Sequence, residues 1–270
     1  MKKNIYTIFG HTGFIGSHLK KKLKYHKLIL PKRDEIIFKK DLGNIIYCIG
    51  SDLWKKHGYE AFHANLGYIP EIINKNKFSS FNYLSSIKVY GNVQTTEENS
   101  MLKINPNDPN AYFMIKKICA ESYLSSQKKK FKIIRLSNIY GNNFNAPLAL
   151  SAFIRDSIRL KKISLTINGS SLKDYLSIDD AVNLILLIIN KGKKNIYNIA
   201  SGKRLSLNQI TKKIKKITNC KILFSNKNLK INEPKINTQR IRNEFKFKQS
   251  SNLLDDLENL ILEFKNSING

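Results

Sequence analysis

The chain has little cysteine: Cys48, Cys119 and Cys220 are its three thiols, and they stand far apart. No Cys-x-x-Cys pair is present, so the sequence predicts neither a disulfide framework nor a zinc knuckle, and no metal site is expected. A reducing cytoplasm is the compartment that this cysteine usage favours.

Long apolar runs are also missing. The strongest one, 184–189, is far shorter than the roughly 20 residues needed to cross a bilayer, so we expect no membrane span. Proline is scarce, with 6 residues in 270, while 41% of the chain is hydrophobic. That balance excludes disordered and collagen-like classes and predicts an ordered globular protein.

Acidic residues are few. The chain has 20 Asp and Glu and 47 Lys and Arg, which gives a formal net charge of +27. Such a charge favours anionic partners, including nucleic acid, anionic lipid and phosphorylated ligands. The lysines are scattered along the whole chain, however, as an AT-rich genome would place them, so nucleic acid is not the expected partner.

Short β-rich runs alternate with amphipathic helical patterns through the first half of the chain. The runs are 5–9, 27–30, 45–49, 81–84 and 132–136. This alternation predicts an α/β fold, a Rossmann-type doubly wound parallel sheet with a smaller C-terminal α/β substrate lobe. We expect residues 1–141 to form the dinucleotide-binding domain and 142–270 mainly the substrate lobe, with some segments returning to the sheet.

A glycine-rich turn links the first strand to the first helix: Gly10-His11-Thr12-Gly13-Phe14-Ile15-Gly16. Glycine at these positions permits a tight turn, close approach of a pyrophosphate to the helix N-terminus, and close packing of helix on strand. The turn therefore predicts a dinucleotide site. The second strand ends in Lys32-Arg33 without a carboxylate, which favours the 2′-phosphate of NADP, with NAD as the alternative.

Tyr112 and Lys116 stand four residues apart at the start of a predicted helix, downstream of the strand-end pair Ser85-Ser86. Residues with this spacing share one helix face, so a phenol and an ammonium can converge on one ligand. The ammonium favours the ionised phenol that a general base requires.

Taken in order, these motifs resemble the extended short-chain dehydrogenase/reductase superfamily, the NAD-dependent sugar-nucleotide epimerases, dehydratases and reductases. The resemblance covers nearly the whole chain. It rests on the glycine turn, the Tyr112 to Lys116 pair and four further segments: Leu84 to Gly91, Arg135 to Gly141, Lys173-Asp174-Tyr175, and Tyr197 to Gly202.

The resemblance implies a catalytic set of Ser86, Tyr112 and Lys116. Tyr112 would exchange a proton with the sugar, Lys116 would bind the nicotinamide ribose, and Ser86 would hydrogen-bond the reacting oxygen. Asn138 and Lys173 would contact the sugar nucleotide. The cofactor site would comprise Gly10, Thr12, Gly13, Phe14, Ile15, Gly16, Lys32, Arg33, Asp41, Cys48, Ile49, Gly50 and Ser137.

Several positions depart from the family pattern. The 4,6-dehydratases carry Asp-Glu where this chain has Ile87-Lys88, so dehydration is not expected. Lys173 replaces an arginine that binds diphosphate in many relatives, and so loses the bidentate geometry. The stretch between Arg33 and Ile45 is shorter than relatives need for a strand and a helix.

We therefore expect an NAD(P)-dependent epimerase or reductase acting on a nucleotide-activated sugar. Enzymes of the family that this chain resembles commonly act in surface-polysaccharide precursor synthesis and form homodimers, so the resemblance implies both. Two alternatives stay open: a dinucleotide-fold protein that binds RNA or regulates without turnover, and a dehydrogenase of a non-nucleotide small molecule.

Overall fold

The computed structural model describes residues 3–32, 35, 40–50, 58–91, 93–108, 111–146, 148–224 and 229–269. Arg33 lies outside the described residues.

A six-stranded parallel sheet forms the centre of the described structure, in the order β2-β1-β3-β4-β5-β9. The strands are β1 (Ile5–Phe9), β2 (Lys27–Ile29), β3 (Asn44–Tyr47), β4 (Ser80–Ser86), β5 (Phe131–Leu136) and β9 (Ile196–Ile199). The strand order reverses beside β1, between β2 and β3, which is where doubly wound sheets form their ligand crevice.

Helices cover both faces of this sheet because its strands bury alternate residues on opposite sides. On one face, Ile8, Ile46 and Ile134 pack in a cluster with α1 (Phe14–Lys22) and α6 (Ile178–Lys191). On the other, Phe9, Tyr47, Phe81, Tyr83 and Ile133 pack with α3 (Tyr68–Lys75) and α4 (Tyr112–Ser125). The predicted α/β fold with a doubly wound parallel sheet is confirmed.

Short helical segments connect the strands and helices of these layers. The segment α2 (Gly58–Phe62) runs through a π-helical turn, His63–Gly67, into α3, and a 3-10 turn, Ile87–Tyr90, follows β4. The C-terminal region adds α5 (Ala149–Arg159), α7 (Leu207–Thr218), α8 (Gln239–Phe245) and α9 (Leu253–Asn269). In the described ranges, no helix is both long and apolar enough to cross a bilayer.

A third hydrophobic cluster forms beside the carboxyl edge of the sheet, from α5, α7, α9 and two small sheets. One small sheet has the order β10-β8-β6, and the other pairs β11 with β7. Their strands are β6 (Asn138–Tyr140), β7 (Lys162–Leu165), β8 (Leu172–Ser177), β10 (Arg204–Ser206) and β11 (Lys221–Phe224). The chain returns to the large sheet through β9, which packs against α8.

A buried ion pair fixes α4 on the sheet. Glu121 of α4 and Arg135 of β5 are both almost fully buried, and Arg135 Nη2 lies 2.7 Å from Glu121 Oε2. The hydroxyl of Ser85 donates to the same carboxylate, and Arg135 Nη1 donates to the hydroxyl of Tyr90 at 2.9 Å. The network therefore joins α4, β4, β5 and the turn after Ser86.

Replacing Glu121 with alanine is expected to lower the free energy of unfolding by about 3–5 kcal/mol, because the Arg135 charge stays buried without its carboxylate. Urea unfolding followed by circular dichroism measures this loss. Glu258→Ala on α9 is the control, since its pair with Lys213 is exposed and is expected to contribute under about 1 kcal/mol. Equal losses in the two variants would contradict the role given to the buried pair.

Candidate functional site

The residues predicted to act together lie at the carboxyl edge of the large sheet. Gly10 directly follows β1, Cys48 follows β3, Ser86 ends β4 and Ser137 follows β5. Because all these strands are parallel, their carboxyl ends meet at one edge. The crevice beside the strand-order reversal lies among these ends.

The glycine turn has the backbone geometry expected of a phosphate-binding loop. Gly10 has φ +79°, and the N–H of Gly13 donates to the carbonyl of Gly10 at 3.0 Å. A Cβ on Gly16 would lie 2.2 Å from that same carbonyl oxygen, so α1 can approach the loop only with glycine there. Thr12 is exposed, and Phe14 and Ile15 pack against the sheet core. The N-terminus of α1 and its loop thus fit the pyrophosphate of a dinucleotide.

The turn after β3 carries Cys48, Ile49 and Gly50 to the same edge. A Cβ on Gly50 would lie 3.3 Å from Nζ of the buried Lys117. Burial raises the pKa of the Cys48 thiol to about 12, although the Lys117 charge acts against this. The thiol is therefore neutral at ordinary pH and suits a packing role better than a nucleophilic one.

Glu35, in the segment that follows β2, places a carboxylate beside Lys32. The backbone N–H of Lys32 donates to Glu35 Oε2 at 2.9 Å. A negative charge beside Lys32 opposes a 2′-phosphate there and suits ribose hydroxyls instead. Lys32 thus favours NADP at this position, as the sequence predicts, whereas Glu35 favours the alternative, NAD.

Asp41 does not join the other predicted cofactor residues. It precedes β3 and forms a bridge with Lys77, which precedes β4, so it lies at the amino edge of the sheet. Its Oδ1 accepts from the N–H of Gly43, whose φ is +58°. The short connection from Lys40 leads directly into β3 with no intervening helix in the described residues, and this puts Asp41 at the edge opposite Gly10. We therefore omit Asp41 from the candidate site.

The predicted catalytic residues lie on two adjoining elements. Tyr112 begins α4, and Lys116 follows one turn later with only 1% of its surface exposed. Nζ of Lys116 lies 5.9 Å from the ring centre of Tyr112 and 4.9 Å from that of Phe113. Ser86 caps the turn after β4, where its hydroxyl accepts from the N–H of Lys88 at 3.2 Å.

Lys88 connects the Ser86 turn to the start of α4. Its Nζ lies 4.9 Å from the ring centre of Phe113, which neighbours Tyr112. Lys88 also acts electrostatically on Lys173 of β8, whose pKa is lowered by burial and by the Lys88 charge, against the opposing effect of Glu233. Lys88 and Lys116 therefore both place their ammonium groups against the ring of Phe113, next to Tyr112.

A hydrogen-bond network holds the predicted substrate residues. Asn138 Nδ2 donates at 2.8 Å both to the backbone carbonyl of Asp174 and to Glu233 Oε2. The Asp174 carboxylate accepts from the N–H groups of Ser201 and Gly202, at 2.9 Å and 2.8 Å. Ser137, which is buried, joins β5 to β9 through its own N–H. Glu233 has no sequence signal that could have predicted this contact.

Burial raises the pKa of Asp174 to about 6, against the hydrogen bonds that it accepts. The usual value in an unfolded chain is about 3.9, so the folded protein holds this proton more tightly. The contribution of Asp174 to the free energy of unfolding therefore decreases as the pH rises from about 4 to about 6.

The family model described as "NAD dependent epimerase/dehydratase family" matches residues 56–200, more than half of the chain. The chain belongs to the NAD-dependent epimerase/dehydratase family. The resemblance to the extended short-chain dehydrogenases/reductases is thereby confirmed.

Among curated relatives, dTDP-D-glucose 4,6-dehydratase of Dictyostelium discoideum is 29% identical to this chain over 267 residues. The alignment covers 77% of this chain and 60% of that protein. The human dTDP-D-glucose 4,6-dehydratase is 27% identical over 143 residues, which cover 51% of this chain and 40% of the human protein. The alignments thus span less than two thirds of the length of these relatives.

Solved structures with the same fold include the UDP-glucose 4-epimerase of Thermotoga maritima with UDP-glucose, at TM-score 0.80 and 18% identity over 97% of this chain and 99% of that one. RMD from Pseudomonas aeruginosa complexed with NADPH has TM-score 0.79 and 17% identity, and the match covers 98% of this chain and 100% of that one. The dTDP-glucose 4,6-dehydratase of Bacillus anthracis with NAD has TM-score 0.79 and 16% identity, and the match covers 99% of this chain and 98% of that one. At such identities the likeness establishes the fold alone.

Replacing Asp174 with asparagine is expected to cost about 1–3 kcal/mol of stability above pH 6, because an amide NH₂ then faces one of two buried N–H donors. The decrease in stability between about pH 4 and pH 6 that Asp174 causes should also disappear. Urea unfolding across this pH range measures both effects. Asp179→Asn, at an exposed position, is the control and should cost under about 1 kcal/mol. An Asp174→Asn variant as stable as the parent would contradict this account.

Proposed function

We propose that the protein transfers hydride between a nicotinamide cofactor and a sugar carbon of a nucleotide-activated sugar. The observation that carries this proposal is the buried Lys116 beside Tyr112, on a helix whose start packs against the Ser86 turn. Both elements lie at the sheet edge that carries the glycine loop. Family membership supports the same reaction class.

Each residue of the set has a chemical role under this proposal. The phenol of Tyr112 exchanges a proton with the reacting sugar hydroxyl or ketone, as a general acid or base. The Ser86 hydroxyl hydrogen-bonds the same oxygen, and the Lys116 ammonium, which lies beside Tyr112, binds a cofactor ribose. A bound nicotinamide supplies or accepts the hydride. Its pyrophosphate would lie on the glycine loop from Gly10 to Gly16.

Redox chemistry without water elimination fits the residues after Ser86 best. The relatives named above include dTDP-D-glucose 4,6-dehydratases, and that branch carries Asp-Glu where this chain has Ile87-Lys88. Lys88 presents an ammonium beside Phe113, and it cannot replace an acidic pair. We therefore propose an epimerase or a reductase. An epimerase would retain its cofactor through gel filtration, whereas a reductase would be purified empty and be stabilised by the reduced cofactor.

The substrate end of the site is proposed to hold a nucleotide sugar near Asn138 and Lys173. Thermotoga maritima UDP-glucose 4-epimerase binds UDP-glucose on the same fold, which supports this class. Participation in surface-polysaccharide precursor synthesis and assembly into a homodimer are parts of the same proposal. Light scattering after gel filtration measures the oligomeric state directly.

Replacing Tyr112 with phenylalanine should lower turnover by about 10²- to 10⁴-fold, because the variant lacks the proton-exchanging hydroxyl. The assay offers UDP-glucose, dTDP-glucose and GDP-mannose and follows the product by proton NMR and the cofactor by absorbance. Dinucleotide affinity should stay unchanged.

Tyr123→Phe, on the same helix, is the matched control and should leave turnover unaltered. Turnover by Tyr112→Phe at the rate of the parent would overturn the mechanism. Release of water and formation of a 4-keto-6-deoxy product would instead identify a dehydratase.

The cofactor preference is expected to depend on Lys32 and Glu35. Glu35→Gln should lower the dissociation constant for NADPH relative to that for NADH by roughly fivefold. This is the effect of removing one negative charge about 4 Å from another in water. Lys32→Gln should shift the ratio of these constants toward NAD. Titration of NADH and NADPH fluorescence measures both. Unchanged ratios in the two variants would show that the 2′-position of the cofactor ribose does not lie beside Lys32 and Glu35.

A further inference from the structure

A buried carboxylate outside the proposed catalytic set lies at the substrate end of the site. Glu233 belongs to the C-terminal region, 95 residues from Asn138 in sequence, and only 9% of its surface is exposed. Burying a carboxylate is costly unless hydrogen bonds or charges compensate it. Its compensating partners therefore indicate what Glu233 does.

The Glu233 carboxylate is directed at two predicted substrate residues. Its Oε2 accepts from Asn138 Nδ2 at 2.8 Å and from the backbone N–H of Asp174 at 3.2 Å. Its charge also favours the ammonium form of Lys173. Arg204 donates at 3.0 Å to the backbone carbonyl of Glu233, which holds the segment in place and leaves the carboxylate to the other partners.

These contacts determine which atom Asn138 can offer to a ligand. An asparagine amide has two N–H donors on Nδ2 and an acceptor on Oδ1. Both donors of Asn138 are used, by Glu233 Oε2 and by the Asp174 carbonyl. Neither of these partners can donate to Oδ1, so a flipped amide would set its oxygen against two acceptors. Glu233 and the Asp174 carbonyl together therefore determine the amide orientation, and Glu233 is the side chain that does so.

We propose that Glu233 is a positioning residue, which orients Asn138 so that its Oδ1 accepts a hydrogen bond from a hydroxyl or N–H group of the substrate. The substrate part of this statement rests on the proposed function. The orientation of the amide does not, since it follows from protein contacts alone. Glu233 itself needs no contact with substrate.

The first experiment measures the Asn138 side-chain amide by ¹H–¹⁵N NMR without any ligand, with its signals assigned by their loss in Asn138→Asp. In the parent protein, these protons should exchange slowly with solvent. Glu233→Ala should speed their exchange at least tenfold, and Glu233→Gln should restore slow exchange because its side-chain carbonyl still accepts. Glu233→Met, of similar length and without an acceptor, takes the place of the alanine variant should that variant not fold.

Glu263→Ala, on the exposed face of α9, is the control and should leave the amide unchanged. Equally slow exchange in Glu233→Ala or Glu233→Met would overturn the proposal. So would fast exchange in Glu233→Gln, since the charge and not the hydrogen bond would then be what matters.

The second experiment measures turnover of whichever of UDP-glucose, dTDP-glucose and GDP-mannose the parent converts. Loss of one oriented hydrogen bond should raise KM by roughly 3- to 10-fold in Glu233→Ala, with kcat and dinucleotide affinity unchanged and with rescue in Glu233→Gln. A lower kcat at constant KM would overturn the positioning role. Absence of turnover in the parent would count against the proposed function only, because the amide measurement needs no substrate.

Discussion

The buried pair of Glu121 and Arg135 is the interaction on which the arrangement of the site depends. It joins the helix that carries Tyr112 and Lys116 to the strand that ends beside Ser137. Ser85 extends the same network to the strand that ends in Ser86, and Tyr90 extends it to Asn198 of β9. A displacement of α4 would leave two buried charges poorly paired, so the network holds the phenol and the ammonium at a constant distance from the sheet edge.

The two halves of the crevice are built in different ways. The proposed cofactor half uses backbone: glycine-containing segments follow the strand ends, and the N-terminus of α1 is directed at the first of them. The proposed substrate half uses the side chains of Asn138 and Glu233, which bind each other and the backbone of Asp174. Backbone geometry serves any dinucleotide, whereas side chains can be exchanged to suit a particular sugar. This division accounts for a fold shared at 16–18% identity by neighbours solved with NAD, NADPH or UDP-glucose.

Much of the fold and part of the site could be predicted from the sequence because the signals are local. The glycine turn occupies seven consecutive residues, and the spacing of Tyr112 and Lys116 is set by one helical turn. Contacts between distant segments gave no such signal, as Glu121 with Arg135 and Glu233 with Asn138 illustrate. The family resemblance predicts Asp41 at the cofactor, but its bridge with Lys77 lies at the amino edge of the sheet. No local motif predicts the contact of Glu35 with the backbone of Lys32.

The partnership of Asn138 with Glu233 sets an order in which the site can be assembled during synthesis. The glycine loop, Ser86, Tyr112 and Lys116 all precede Asn138 in the chain and leave the ribosome before it. Asn138 emerges soon afterwards, yet its carboxylate partner is 95 residues further along the chain. Since chains are made from the N-terminus and their domains tend to fold as they emerge, the contact of Asn138 with Glu233 forms only after the proposed catalytic residues have been translated. A nascent chain that stops before Glu233 would carry every proposed catalytic group and still lack the carboxylate that contacts Asn138 in the proposed sugar-nucleotide site.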